Sequence, residues 1–376
     1  MIMKMKTLQN ILPIPLSVME IDFADKRAMF TTGSIIKGRV FLRRRAPHQP
    51  TRVCISLIGK VTTDITNSTP YPYSGSTVDY TFLQMYQNDD IGDIEGEACS
   101  HTIPFSFIIP GALPNDTCTE HIQTGVRVRP GQSHLELPPS MDYDSDKLCP
   151  KMCEVAYYIR AVAVTGNDRV HAAKRVQILP LYLERPPQLW LEDSDASVSD
   201  SMVQKKGLWG SNMGKIKLCG LWETVSAYLP LGKGEETARL LPIRLVAELE
   251  RFDERAKLPD TCQVRVTLKA VTHYTALPMV ELQEPGVSDT QRKVFRVSAC
   301  SWKNKSVMLH WSGHGGDSYS ANTVVPIPIS CRAPLLPTFY HCYVARKYFA
   351  QVEVVVRGYK TLCLKVPVQI YNALER

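Results

Sequence analysis

The residues that could support catalysis occur in poor constellations. The segment Trp311-Ser312-Gly313-His314-Gly315-Gly316-Asp317 gathers a serine, a histidine and an aspartate. Its His-Gly-Gly echoes an oxyanion loop. Such hydrolases place their nucleophile in a Gly-x-Ser-x-Gly elbow between a strand and a helix. Neither the elbow nor strand–helix alternation occurs here, so the segment reads as a glycine-rich turn. Gly232-Lys233-Gly234 lacks the spacing of a phosphate loop, and no His-Glu-x-x-His metal motif is present. His121, His134, His341 and Cys342 are too scattered to read as a ligand set. The expectation is a protein with no catalytic residue, no metal and no cofactor.

Charged residues are more informative. Lys37, Arg39, Arg43 and Arg45 share one parity of a single run, so a strand would project them from one face. Arg52 and Lys60 share the solvent parity of the next run, and Arg160 and Lys174 come from a later hairpin. Arginine grips carboxylate or phosphate at two points. Together these residues form the candidate surface for an acidic or phosphorylated segment. The competing reading is an ordinary solubilising strand face. The formal net charge of +7 permits acidic partners, including phosphorylated tails and anionic lipid. Basic residues are spread along both halves and aromatics sit in alternating runs, so no nucleic-acid partner is expected.

The elements that must position these residues are strands. Val53, Ile55 and Leu57 alternate with Arg52 and Ser56. Val264, Val266, Leu268 and Ala270 alternate with Arg265, Thr267 and Lys269, and Leu362, Leu364, Val366, Val368 and Ile370 with Cys363, Lys365, Pro367 and Gln369. Period-two alternation gives each strand one buried and one wet face, the pattern of antiparallel sheets packed as sandwiches. Thr165-Gly166-Asn167-Asp168 and Arg357-Gly358-Tyr359-Lys360 read as hairpin turns. Pro367 predicts an edge strand or a bulge. The best helical candidate, Glu235 to Glu254, is interrupted by Pro242, and alternation favours a strand from about Ile243 to Phe252. The 11 cysteines lack the tight pairing of a zinc site and read as thiols in a reducing compartment. No apolar run approaches the ~20 residues of a membrane helix. Pro13 and Pro15 break the apolar N-terminal stretch, so no signal peptide is expected.

An internal repeat is visible. Leu137-Pro138-Pro139-Ser140 precedes a hairpin running from Tyr157 through Gly166 to Ile178. Leu335-Leu336-Pro337-Thr338 precedes another, running from Tyr348 through Gly358 to Ile370. Two copies of one sandwich plan explain this. Between them, the acidic, serine-rich run Glu192 to Ser201 cannot bury a core and reads as a flexible linker. It is also a candidate for phosphorylation.

In order and spacing, these features resemble the arrestin family, in particular the fungal α-arrestins. The block Phe30 to Leu42 is similar to the family's early hairpin, and Ile103 to Pro110 to the segment leading into Leu137-Pro138-Pro139-Ser140. The two repeat hairpins resemble those closing the N- and C-terminal arrestin domains. The resemblance covers about 16 to 184 and 216 to 372. It implies an all-β fold of two tandem immunoglobulin-like antiparallel β-sandwiches, 1–184 and 216–376, joined by a linker at 185–215. The implied function is that of a non-enzymatic, cytoplasmic trafficking adaptor, peripheral to the plasma membrane or endosome. It would bind cytosolic tails of membrane transporters and support their ubiquitin-dependent endocytosis through a HECT-class ubiquitin ligase. The family recruits the ligase with Pro-Pro-x-Tyr motifs, whereas Pro138-Pro139-Ser140-Met141 and Pro186-Pro187-Gln188-Leu189 lack the tyrosine. The alternative is a scaffold similar to the retromer-associated arrestin-fold subunits, working without a ligase.

Overall fold

The computed structural model describes residues 18–25, 29–43, 51–66, 75–87, 100–115, 117, 135–181, 200–205, 212–220, 225–229, 239–253, 257–279, 291–303, 306–329, 335–357, 359 and 361–372. Among these, every regular element is a β-strand. The first half forms two antiparallel sheets. One has the order β1 (Val18–Phe23), β2 (Ile35–Arg43), β5 (Ser100–Ile108). The other has the order β4 (Gly75–Tyr86), β3 (Thr51–Thr66), β6 (Cys153–Thr165), β7 (Asp168–Val176). β2 shows why the chain folds this way: Ile36, Val40 and Leu42 are buried while Ile35, Lys37, Arg39, Phe41 and Arg43 face outward. Their inward row joins Ile103, Phe105 and Phe107 of β5 in one cluster with Val53, Ile55 and Leu57 of β3 and Tyr157 and Ile159 of β6. The two sheets therefore pack face to face, as in a β-sandwich.

The second half is built from β8 (Asp200–Lys205), β9 (Asn212–Gly220), β10 (Val225–Leu229), β11 (Arg239–Arg251), β12 (Thr261–Thr275), β13 (Arg292–Lys303), β14 (Val307–Met308), β15 (Trp311–Gly313), β16 (Ser318–Ile329), β17 (Phe339–Tyr340), β18 (Val344–Val356) and β19 (Leu362–Asn372). One sheet runs β10-β19-β18-β12-β13, with β14 beside β12 and β17 beside β18. The other runs β15-β16-β11-β9-β8. Pairing is antiparallel except between β10 and β19. A second cluster lies between these sheets, with Val264, Val266, Leu268, Val352 and Leu364 against Leu245, Ala247, Leu249, Ala321 and Val325.

Three local expectations meet the structure differently. β11 is a strand as expected, but it starts at Arg239 and carries Pro242 within it. β8 and the start of β9 fall inside 185–215, the span read as a linker. Pro367 lies in a strand paired on both sides rather than at a sheet edge. β18 pairs it through Phe349, but pairing with β10 begins only at Val368, so the missing N–H falls where β19 has one neighbour.

The repeated segments build the same clasp twice. Ser140 donates its N–H to Ile178 O at 2.8 Å, and its hydroxyl accepts from Ile178 N–H at 2.8 Å. Thr338 donates to Ile370 O at 2.7 Å and accepts from Ile370 N–H at 2.9 Å. Tyr157 OH donates to Pro138 O at 2.6 Å, and Tyr348 OH to Leu336 O at 2.8 Å. Each proline-rich segment is thus tied to the first strand of the hairpin that follows it and to an isoleucine of the returning chain, Ile178 just beyond β7 and Ile370 within β19.

Candidate binding surfaces and the buried junction

β2 presents three exposed cations in a row. Register places Asp22 of β1 opposite Arg39, Glu20 opposite Phe41 and Val18 opposite Arg43. On the other side, β5 places Ser106 opposite Lys37, Pro104 opposite Arg39 and Ser100 opposite Arg43. Phe41, 42% exposed, stands between Arg39 and Arg43. The carboxylates of β1 offset the field on one flank, which leaves the β5 flank the more positive. Alternate residues of a strand lie ~7 Å apart, the spacing that an extended acidic segment offers in its own side chains.

The remaining predicted cations do not join this row. Arg52 and Lys60 of β3 and Arg160 of β6 project from the outer face of the other sheet, where Arg160 lies opposite Ser56. Lys60 is paired with Asp79. Because the two sheets face each other, their outer faces point apart. Lys174 lies opposite Ile159, on the parity that turns toward the first sheet. It donates to Ile21 O at 3.1 Å, sits 3.6 Å from Asp22 Oδ1 and lies over the Phe23 ring at 4.8 Å. It is a strut between β7 and β1. Arg45 lies outside the described residues. Parity, read from the sequence, assigned faces but could not assign sheets.

The site that the sequence reading missed is a buried junction between the two halves. Arg346 of β18 is fully buried. Its Nη2 reaches Asp146 Oδ2 at 3.2 Å, Leu148 O at 3.1 Å and Met141 Sδ at 3.3 Å, and its Nε donates to Thr272 Oγ1 at 2.8 Å. Burial works against the Arg346 charge, yet the adjacent Tyr348 and Asp146 outweigh it and hold the guanidinium pKa above its ordinary value. Thr63 Oγ1 donates to Thr275 O at 2.8 Å, and Asn372 Nδ2 to Pro180 O at 3.3 Å. Phe339, Cys342, Tyr343 and Val344 pack into the cluster of the first half. The missed signal was Arg346 itself, a charge on the inward parity of a strand between Val344 and Tyr348.

The turn that carries Asp146 is tied down from both sides. Asp142 accepts from Ser145 N–H at 2.8 Å, Ser145 Oγ at 2.7 Å and Arg175 Nη2 at 2.7 Å, while Arg175 Nη1 reaches Glu154 at 2.8 Å. Cys149 and Cys153, beside this turn, are buried. Burial pushes the Cys149 thiol up to about 12 and raises Cys153 well above its ordinary value. No described cysteine is in a disulfide.

The hydrolase-like segment forms the turn joining β15 to β16, with Gly315 and Gly316 at φ 96° and 62°, the left-handed region that glycine tolerates. His314 hydrogen-bonds Ser320, while Asp317 is held by Arg251 at 2.7 and 3.0 Å. The carboxylate that would orient the histidine is therefore engaged elsewhere. His121 and His134 lie outside the described residues, and His341 and Cys342 are buried at the junction. Among the described residues no group of three or more His, Cys, Asp or Glu is placed to hold a metal ion. No helix among them is long and apolar enough to cross a membrane. No family model matches this chain, and no curated protein matches it.

Proposed function

We propose that the chain is an arrestin-type trafficking adaptor: two tandem immunoglobulin-like sandwiches, the second taking in β8 and β9 from Asp200 onward, that bind cytosolic tails of membrane transporters and support their ubiquitin-dependent endocytosis. The observation that carries the tandem arrangement is the repeated clasp, with Ser140 and Ile178 in one half and Thr338 and Ile370 in the other making the same hydrogen bonds. The row Lys37, Arg39 and Arg43 is the surface for an acidic cargo segment, its β5 flank free of carboxylates among the described residues. The experiment is affinity capture of acidic transporter-tail peptides by the full chain. Lys37→Glu/Arg39→Glu/Arg43→Glu, with an unchanged thermal transition, is expected to weaken capture by at least about tenfold, since each charge-assisted contact contributes about 1.5–3 kcal/mol. Equal capture by the variant would remove the assignment.

A second reading is favoured by one observation. Leu137 to Ser140 are buried, Pro138 O is taken by Tyr157 and Ser140 is locked in the clasp. This diproline cannot present itself to a WW domain. That supports a retromer-like scaffold without ligase recruitment, and co-purification from cells distinguishes the two: a HECT-class ligase for the adaptor, stable coat subunits for the scaffold.

A further inference from the structure

We propose that the outer face of the sheet β10-β19-β18-β12-β13 is a docking surface that lies flat on an anionic lipid bilayer. Register assembles the face row by row. Arg265 of β12 lies between Lys303 of β13 and Glu353 of β18. In the next row, Thr267 lies between Ser301 and Gln351, and Gln351 lies beside Lys365 of β19. Lys269 follows, between Ser298 and Phe349, and Arg296 stands in the row beyond, opposite Val271. These residues have the parity opposite to Val264, Val266 and Leu268, which fill the second cluster. Arg265, Lys269, Arg296, Lys303 and Lys365 therefore share one face. Val271 and Lys347, in the row of Arg296, are buried, so the open patch runs from Arg265 and Lys303 to Lys269 with Arg296 at its margin. The carboxylate among them, Glu353, is held by Arg265 at 3.2 Å.

The geometry selects a bilayer over a peptide. Four strands at ~4.8 Å spacing and six residues of strand length spread the charge over roughly 14 by 20 Å. An extended peptide follows one line and meets the cations of one or two strands, whereas a plane of headgroups meets all of them. Lysine is a compact point charge, suited to a diffuse anionic field more than to forked recognition of one group. Lys365 lies over Phe349 at 5.6 Å, and Val355 of the same face is 43% exposed, so the surface also offers apolar contact. Near an anionic leaflet each basic residue multiplies partitioning about fivefold, an effect that salt screens. This inference stands on the register of the second half alone and does not depend on cargo binding by β2.

The test is co-sedimentation of the full chain with vesicles of phosphatidylcholine alone and of phosphatidylcholine mixed with phosphatidylserine. The wild type is expected to bind the mixed vesicles only, and to release as salt rises. Lys269→Glu/Lys303→Glu/Lys365→Glu is expected to lose at least about tenfold in partitioning. Should its thermal transition show misfolding, the corresponding three Lys→Gln substitutions carry the same expectation with a smaller loss. Lys37→Glu/Arg39→Glu/Arg43→Glu is expected to bind the mixed vesicles nearly as wild type. Three results would overturn the proposal: no binding to mixed vesicles, equal binding by the second-half variant, or equal loss in both variants. Capture of a soluble polyglutamate peptide by this face with indifference to vesicles would overturn it in favour of an acidic protein partner.

Discussion

Arg346 and Asp146 show how much a single pair can decide. Removing one partner of a buried ion pair strands the other charge away from water and costs about 3–5 kcal/mol. Asp146→Ala is therefore expected to lower stability by that amount in urea unfolding. Arg346→Met with Asp146→Leu, which leaves no unpaired charge, is expected to recover most of it. Asp142 sets a pH dependence. Burial opposes its charge, but hydrogen bonds from the Ser145 backbone and hydroxyl and the Arg175 charge outweigh burial and lower its pKa. The unfolded chain then takes up this proton at a higher pH than the folded one. The stabilisation is complete above about pH 4 and fades as pH falls through the folded value. Asp142→Asn is expected to be less stable at neutral pH and to converge on the wild type in acid, as read from melting temperature against pH. Among the thiols, exposed Cys54 and Cys363 are expected to react with iodoacetamide in the native protein. Cys149, Cys153 and Cys262, the last pushed by burial to about 11, are expected to react only in denaturant, as resolved by peptide mass.

At the scale of elements, the clasps make equivalent demands in both halves. Tyr157→Phe and Tyr348→Phe each remove the hydroxyl that ties the proline-rich segment, with an expected cost of at least about 1 kcal/mol apiece by denaturant titration, the larger for Tyr348, whose hydroxyl also hydrogen-bonds Arg346. Ser140→Ala leaves the buried Ile178 N–H short of its hydroxyl acceptor and is expected to cost about 1–3 kcal/mol. Gly38 records how closely strands approach in the first sandwich layer: a Cβ there would lie 2.3 Å from Asp22 O and 2.4 Å from Phe105 Cζ. Alternation in the sequence made strands and their faces legible, as in Val264 to Ala270, and the two glycine turns located β6–β7 and β18–β19. Partnership between strands was not legible. Lys37 and Arg52 look alike as outward cations on successive runs, yet β2 and β3 belong to different sheets because they pair with β5 and β6 from far along the chain. Pro367 misled for a related reason, since the partner that spares its missing N–H is a short parallel strand whose pairing starts one residue later.

For the whole molecule, the cores are not independent. Phe339, Tyr343 and Val344 come from the second half and fill the cluster of the first, while Leu148 packs against the cluster of the second. Tyr343→Ala is expected to cost about 3–5 kcal/mol and to destabilise both halves together, seen as a single shifted unfolding transition by calorimetry. The basic row on β2 and the basic face over β12 lie in different halves, and their geometry follows from sheet assignments that no local pattern carries.

The crossing of Phe339 to Val344 into the earlier core also bears on how the polypeptide is made. A ribosome delivers the N-terminal strands first. Their apolar interior lacks Phe339, Cys342, Tyr343 and Val344 until β17 and the start of β18 have been made. The first core is therefore open to chaperones until that point, and it closes only after the start of β18 leaves the exit tunnel.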